Sequence, residues 1–177
     1  MDGRIDKRRC NEMKIKGITD EDFVNYKLPS IFIACPYCTF KCEKECGKHI
    51  CQNSSLANAP VIEVSQSSII TRYLQNPITQ AIVFGGLEPF DDIRSVAIFI
   101  MLLRTIFNDD SPVVIYTGYT EDEIKTKFKE YLKFLKKFSN IIVKFGRFIP
   151  DQNSHYDPIL GVNLASDNQY AKDISEV

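Results

Sequence analysis

The feature that most constrains this chain is a group of five cysteines within seventeen residues. They are Cys35, Cys38, Cys42, Cys46 and Cys51. The first residues are charged and lack the apolar centre of a secretory signal, so we expect a cytoplasmic, reducing location. Closely spaced thiols in a reducing compartment are usually metal ligands rather than disulfides. The sequence therefore predicts a metal site in this segment.

The cysteine spacing leaves two kinds of metal site open. Zinc usually takes four ligands in two close pairs such as C-x2-C, and only Cys35 and Cys38 have that spacing. A [4Fe-4S] cluster held by three thiolates leaves one iron free for another ligand. Cys38 and Cys42 begin such a set, and Cys51 closes it after a longer gap. Cys46 or Cys35 in place of one of these ligands remains an alternative.

Composition limits the classes of protein to consider. The 177 residues are 44% hydrophobic with a formal charge of −1, which fits one domain with a sizeable core. This charge gives no electrostatic reason to expect nucleic acid or a membrane surface as a partner. The most apolar run, residues 96–103, is far shorter than the roughly 20 residues that span a bilayer. We predict an N-terminal arm at residues 1–12, in which Cys10 has no role, and a single domain at 13–177.

Apolar runs alternate with helical patterns along the chain. Strands are predicted at residues 30–34, 80–84, 113–116 and 141–145, with another short strand between 159 and 164. Helices are predicted at residues 65–76, from Asp91 or Asp92 to about 107, and from a capping box at Thr120 and Glu123 through 135, while 54–60 is predicted to be a loop. Strands separated by helices imply an α/β fold with parallel pairing and functional loops at the strands' carboxyl ends.

Distinctive motifs follow these predicted strands. They are Cys38-Thr-Phe-Lys-Cys42, Ile50-Cys51-Gln-Asn53, Gly85-Gly-Leu-Glu-Pro89, Tyr116-Thr-Gly-Tyr-Thr120, Lys144-Phe-Gly-Arg-Phe148 and Ala165-Ser-Asp-Asn-Gln169. In this order the motifs resemble the radical S-adenosylmethionine enzymes, and within them the activating proteins of anaerobic ribonucleoside-triphosphate reductase. The likeness covers most of residues 27–170 and favours an iron–sulfur cluster over zinc.

Two departures from the family pattern stand out. The family places two residues between its second and third cysteines, whereas eight separate Cys42 from Cys51. The glycine-rich loop has Leu87 and Glu88 before its proline, where the closest relatives usually have a single acidic residue. The geometry of cofactor binding therefore cannot be carried over directly from the family.

The resemblance implies a compact, incomplete (β/α) barrel of about five to six mainly parallel strands. It implies a [4Fe-4S] cluster on Cys38, Cys42 and Cys51, and S-adenosylmethionine, which is cleaved reductively to methionine and a 5′-deoxyadenosyl radical. Further predicted cofactor-binding residues lie in the loops after the strands: Gly85, Gly86, Glu88, Thr117, Ser166 and Asn168. The two glycines would let the backbone approach the methionine amino group, Glu88 would pair with that ammonium, and the other three offer hydrogen bonds to ribose or carboxylate.

The implied substrate is a glycyl-radical enzyme such as anaerobic ribonucleotide reductase, with flavodoxin or ferredoxin as electron donor. The alternatives are a radical S-adenosylmethionine enzyme with another substrate, and a non-catalytic iron–sulfur or zinc-binding module. The sequence has no evident serine–histidine–acid nucleophile set, phosphate-binding P-loop or basic, aromatic-rich nucleic-acid surface. No residue of this chain is predicted to be an acid, base or nucleophile in catalysis.

Overall fold

The computed structural model describes residues 11–177 and contains ten strands and six α-helices in that range. The strands are β1 (Glu12–Ile15), β2 (Gly17–Asp22), β3 (Ser30–Cys35), β4 (Ile62–Ser65), β5 (Ala81–Gly86), β6 (Val113–Tyr116), β7 (Ile141–Phe145), β8 (His155–Asp157), β9 (Val162–Leu164) and β10 (Tyr170–Asp173). The helices are α1 (Lys41–Cys46), α2 (Ser54–Asn58), α3 (Gln66–Gln75), α4 (Ile93–Thr105), α5 (Glu121–Lys127) and α6 (Lys129–Leu135). The predicted arm lies outside the described residues except for Asn11 and Glu12, and so does Cys10.

A six-stranded sheet forms the centre of the fold, with the order β10-β7-β6-β5-β3-β2. The strands β3, β5, β6 and β7 are parallel, and β2 and β10 pair antiparallel at the two edges. Two smaller two-stranded sheets pair β1 with β4 and β8 with β9. The predicted α/β fold with a mostly parallel sheet is confirmed, and each of the four main predicted strands is present.

The two faces of the sheet bury different sets of residues. On β5, Ile82 and Phe84 join the larger core with apolar residues of α3, α4, α5 and α6, and the Phe84 ring meets Phe99 edge-on at 5.1 Å. Ala81 and Val83 point the other way, into a smaller cluster built from strands and loops. Parallel strands adjacent in chain order with their helices on one face are arranged as in a (β/α) barrel. Closure into a barrel stays a prediction.

Two of the predicted elements differ from the structure, and a third agrees with it. Residues 54–60 contain the short helix α2 instead of only a loop. The helix predicted to be capped by Asp91 or Asp92 is confirmed as α4, which has Asp92 at its N-cap and ends at Thr105, with a 3-10 turn at Pro89–Asp92 before it. The helix that opens with the capping box is interrupted at Phe128, where the backbone leaves helical geometry between α5 and α6. The capping box itself, with Thr120 and Glu123, is confirmed.

Candidate metal and cofactor site

A cleft of about 580 Å³ opens at the carboxyl ends of β3, β5, β6 and β7. Its volume lies within the range of small-molecule binding sites. Seven of the nine predicted site residues line it: Cys38, Cys42, Cys51, Gly85, Gly86, Glu88 and Thr117. Ser166 and Asn168 are outside the lining. The fold therefore brings the cysteine motif and the glycine-rich motif, which are about forty residues apart in the chain, to one cavity.

The cleft separates the five cysteines into two groups. Cys38, Cys42 and Cys51 line it. Cys35 is fully buried at the end of β3, and the thiol of Cys46 lies 3.3 Å from the carbonyl oxygen of Lys48. Neither Cys35 nor Cys46 lines the cleft. The three cysteines that face the cavity are the three that the family resemblance selected.

The enlarged gap between the second and third of these cysteines has a structural explanation. Half of the intervening residues belong to α1, and the side chain of Glu43 on this helix accepts a hydrogen bond from the backbone N–H of Cys51 at 3.1 Å. Cys51 thereby lies near Cys42, and the charge of the Cys51 thiolate contributes to raising the pKa of Cys42. The additional residues are absorbed in a helical turn without removing Cys51 from the cleft.

The chain turns sharply around Cys38. Phe40 has a φ of 51°, in the left-handed region that non-glycine residues seldom adopt, and its N–H lies 3.2 Å from the sulfur of Cys38. Hydrogen bonds to sulfur are among the contacts that tune iron–sulfur clusters. The neighbouring N–H of Thr39 donates to Asp91 at 2.8 Å, which attaches this turn to the connection between β5 and α4.

The two thiols at the start of the motif hold their protons tightly. Burial raises the pKa of Cys38 to about 11, partly opposed by the Phe40 N–H and reinforced by the Glu88 carboxylate. Burial also raises the pKa of Cys42. Both thiols are therefore protonated at neutral pH, and metal binding must release these protons.

The arrangement of the thiols bears on the kind of metal site. Within residues 11–177, no three Cys, His, Asp or Glu side chains converge closely enough to hold one metal ion. Zinc needs four ligands at about 2.0–2.3 Å from a single centre. In a cubane cluster each thiolate binds a different iron, so its ligands do not converge on one point. Cys38, Cys42 and Cys51 around one cavity offer the three thiolates that a [4Fe-4S] cluster with one open iron takes.

Glu88 is buried and joins two loops at the cleft. One carboxylate oxygen accepts hydrogen bonds from the Phe90 N–H at 3.0 Å and the Thr117 hydroxyl at 2.7 Å, and the other accepts from the Gly118 N–H at 2.8 Å. Burial raises the pKa of Glu88 to about 7, although these hydrogen bonds oppose the shift. Glu88 thus fixes the loop after β5 to the loop after β6, besides presenting its carboxyl group at the cleft.

The two cleft glycines are required by their neighbours in the fold. A Cβ atom on Gly85 would lie 2.8 Å from the ring of Phe32, closer than real side chains approach. Gly86 has a φ of +81°, and a Cβ there would meet Leu56 at 2.7 Å. The side chain of Asn53 donates to the Gly86 carbonyl oxygen at 2.6 Å. The glycine-rich loop is therefore in direct contact with the segment that follows the cysteines.

Ser166 and Asn168 make contacts within their own loop and with the segment after β7. The Ser166 hydroxyl donates to the Asn168 side chain at 2.8 Å, and the Asn168 amide donates to the carbonyl oxygen of Arg147 at 2.9 Å. Thr117 accepts from the Tyr119 N–H at 3.0 Å. These hydrogen bonds give all three residues a structural role, and their contact with a cofactor stays a prediction.

Lys144 lines the cleft although sequence analysis assigns it no role. It is only 6% exposed, and the polar contact of its ammonium group is the carbonyl oxygen of Gly146 at 2.8 Å. Burial lowers the pKa of Lys144 to about 8, opposed by the charge of Glu88. The signal for Lys144 is its place in an otherwise apolar predicted strand, on the same face as Ile142.

The comparisons with known proteins agree with the thiol arrangement. The family model described as the 4Fe-4S single cluster domain matches residues 30–169, which span the cysteine motif, the four parallel strands and the final loop motif. This domain is found in proteins that resemble radical S-adenosylmethionine activases. No curated protein and no solved structure matches the chain significantly. The match covers well over half of the sequence, and the chain therefore belongs to the 4Fe-4S single cluster domain family.

Proposed function

We propose that this protein is a radical S-adenosylmethionine enzyme of the glycyl-radical-enzyme activating type. Cys38, Cys42 and Cys51 hold a [4Fe-4S] cluster, and S-adenosylmethionine binds beside it in the cleft. When bound, the reduced cluster supplies the electron that cleaves S-adenosylmethionine to methionine and a 5′-deoxyadenosyl radical. The radical then removes a hydrogen atom from a glycine of a partner such as anaerobic ribonucleotide reductase.

The observation that carries this proposal is the shared cleft. The three thiols and the loop of Gly85, Gly86 and Glu88 at the end of β5 line the same cavity. The cavity has the volume of a small-molecule site and is lined by both acidic and basic side chains. A site dedicated to a structural metal alone would have no need for a cavity of this size.

The charged residues of the cleft match the two charges of an amino-acid group. S-adenosylmethionine carries an ammonium and a carboxylate on its methionine portion. Glu88 is the acidic group proposed to bind the ammonium. Lys144 is proposed to bind the carboxylate, because its buried ammonium group has no hydrogen bond to an acidic side chain. Both side chains are almost fully buried, which limits the screening of their electrostatic interactions by solvent.

The partners and the location of the protein belong to the same proposal. A protein substrate is proposed because few residues are left to enclose a separate small substrate, and the electron donor is a flavodoxin or ferredoxin. The proposed location is the cytoplasm. No helix within residues 11–177 is long and apolar enough to cross a membrane.

The first experiment is reconstitution without oxygen, using iron and sulfide. The protein is expected to bind about four irons per chain, as one cubane requires. The reduced protein is then mixed with S-adenosylmethionine, and methionine and 5′-deoxyadenosine are quantified by chromatography. A final arm adds an anaerobic ribonucleotide reductase and measures the glycyl radical by electron paramagnetic resonance.

The controls separate the competing functions. Cys38→Ala, Cys42→Ala and Cys51→Ala are each expected to lose the cluster, whereas Cys46→Ala keeps it. Stoichiometric zinc without a sulfide-dependent chromophore would contradict the cluster. An intact cluster that leaves S-adenosylmethionine uncleaved under strong reduction would favour a non-catalytic module, and cleavage without glycyl radical formation would favour another substrate.

A further inference from the structure

The segment that carries the proposed ligands has little hydrophobic anchoring. Between residues 37 and 60 no residue is buried, and α1 within this segment has no buried side chain. Residues 37–60 are called the cysteine segment below. A surface segment with few apolar anchors depends on polar contacts for its position, and several of these connect it to the rest of the protein.

The charged contacts of α1 converge on one carboxylate of α5. Glu123 binds the ammonium of Lys41, which precedes the ligand Cys42. The guanidinium of Arg147, after β7, donates to both oxygens of the same Glu123 carboxylate at 2.7 and 2.6 Å. Arg147 also lies 3.4 Å from Glu45 on α1. Two charged contacts therefore connect α1 to the body of the protein: Lys41 binds Glu123 directly, and Glu45 lies beside Arg147, which Glu123 binds.

Partial burial makes the ion pair of Glu123 and Arg147 stronger than an ordinary surface pair, while Lys41 and Glu45, which reach it from α1, are 36% and 52% exposed. The side chains of Glu123 and Arg147 are 19% and 12% exposed. Exposed ion pairs contribute little because water screens them, whereas hydrogen bonds to charged groups with limited solvent access contribute more. Lys41 and Arg147 also line the cleft, so the network borders the cavity itself.

We propose that Glu123 is a positioning residue that holds the cysteine segment against the sheet through Lys41 and Arg147, and so keeps Cys42 at the cleft. The proposal rests on the proposed function, since it assigns Glu123 to the ligand set described there. Glu123 reaches the thiols only through its neighbours and is not itself a ligand. Its effect on the cluster is therefore expected in how long the cluster is retained, and not in whether it forms.

The test variant is Glu123→Gln. Glutamine keeps the hydrogen bond of the capping box to the Thr120 N–H, which Glu123 makes at 3.0 Å, so α5 is preserved while the negative charge is lost. The matched control is Glu121→Gln on the first turn of the same helix, because Glu121 binds Lys125 and Lys172 away from the cysteine segment. Lys41→Gln breaks the same contact from the other side without altering α5.

The first readout uses the metal-free protein and is independent of cofactor chemistry. In Glu123→Gln and Lys41→Gln, amide hydrogen exchange within residues 37–60 is expected to accelerate by about tenfold, as for the loss of a hydrogen bond to a charged group. Exchange in β5 and β6 is expected to stay unchanged, and Glu121→Gln is expected to match the wild-type protein in both regions.

The second readout uses the protein reconstituted with iron and sulfide. Release of iron to a chelator is expected to be faster in Glu123→Gln than in the wild type, with the difference shrinking as sodium chloride is raised, because salt screens the wild-type ion pairs. If iron release were faster only because α5 had become less stable, the difference from the wild type would persist at high salt. If the wild type binds no iron, the proposed function fails while the exchange experiment still tests Glu123.

Two results would overturn the inference about Glu123. One is exchange in residues 37–60 that is the same in Glu123→Gln and the wild type. The other is an equal acceleration in Glu121→Gln, which would mean that any loss of charge on α5 loosens the segment.

Discussion

The parallel sheet and the cysteine segment are held in place by different forces. Every residue of β7 is buried, and so are the first five residues of β5. In contrast, no residue between 37 and 60 is buried. The segment is attached by hydrogen bonds and ion pairs to Asp91, Glu123 and the Gly86 carbonyl. Local stability follows buried apolar contacts, so the segment can rearrange around a bound group at a cost far below that of unfolding the sheet.

The largest expected difference between the two regions is in the free energy of unfolding. Phe84→Ala removes a fully buried ring from β5 and its contact with Phe99, and is expected to cost about 3–5 kcal/mol. Tyr37→Ala in the cysteine segment removes a ring that is 42% exposed and is expected to cost less than about 1 kcal/mol. Denaturant titration of both metal-free variants measures the difference, and equal losses would contradict the contrast.

The next largest effect is expected where the two regions meet. Gly86→Ala forces a side chain into a left-handed backbone and against Leu56, so the expected cost is about 2–3 kcal/mol. The control is Gly17→Ala, because a Cβ at Gly17 meets nothing within 4 Å, and its expected change is within about 0.5 kcal/mol. Thermal unfolding of the two variants is the measurement. Similar melting temperatures would mean that the junction at Gly86 is more adaptable than its contacts indicate.

The contrast also explains how much of the molecule the sequence predicts. The four parallel strands are visible as apolar runs, because a strand buried on both faces needs apolar residues throughout. The positions of Cys38 and Gly85 at neighbouring strand ends follow from the α/β order alone. These features depend on the local residue pattern and on the order of the elements, and both can be read directly from the sequence.

Other features depend on contacts between distant residues and leave no local signal. The ion pair of Lys41 and Glu123 joins residues 82 positions apart, and either side chain alone is typical of a solvated surface. The interruption at Phe128 falls within a continuous helical pattern, where its ring packs against Phe90 and Tyr119 in the tertiary structure. Lys144 is the exception, since a lysine inside an apolar strand is a signal in itself.

The pH dependence of Glu88 tests whether the sheet end of the cleft is as dry as its burial indicates. The pKa of Glu88 is raised from 4.5 to about 7 in the folded protein, so between these values the folded state binds more protons than the unfolded state. The free energy of unfolding is therefore expected to fall as pH rises from about 5 to about 7, by up to about 2–3 kcal/mol.

The measurement is denaturant titration of the metal-free protein between pH 5 and 8. Glu88→Gln carries no titrating group and is expected to lose this part of the pH dependence. Glu121→Gln serves as the control, because the pKa of Glu121 is lowered to about 2 by hydrogen bonds from Lys125 and Lys172, and it does not titrate in this range. Parallel curves for the wild type and Glu88→Gln would show that Glu88 is hydrated.

The smallest expected change in stability, and the sharpest separation of fold from binding, comes from Lys144→Met. Methionine has a similar length and no charge, so it removes a buried cation that has only a carbonyl oxygen as its polar contact. Replacing a buried charge by an apolar side chain is often neutral or stabilising, and the free energy of unfolding is expected to rise by about 1 kcal/mol. If Lys144 binds the carboxylate of S-adenosylmethionine, the same substitution is expected to weaken cofactor binding by about tenfold.

Calorimetry on the reconstituted protein and thermal unfolding of the metal-free protein measure the two effects of Lys144→Met, with the exposed Lys129→Met as control. A variant that is more stable and binds the cofactor normally would remove Lys144 from the site, and a less stable one would mean that its charge supports the fold.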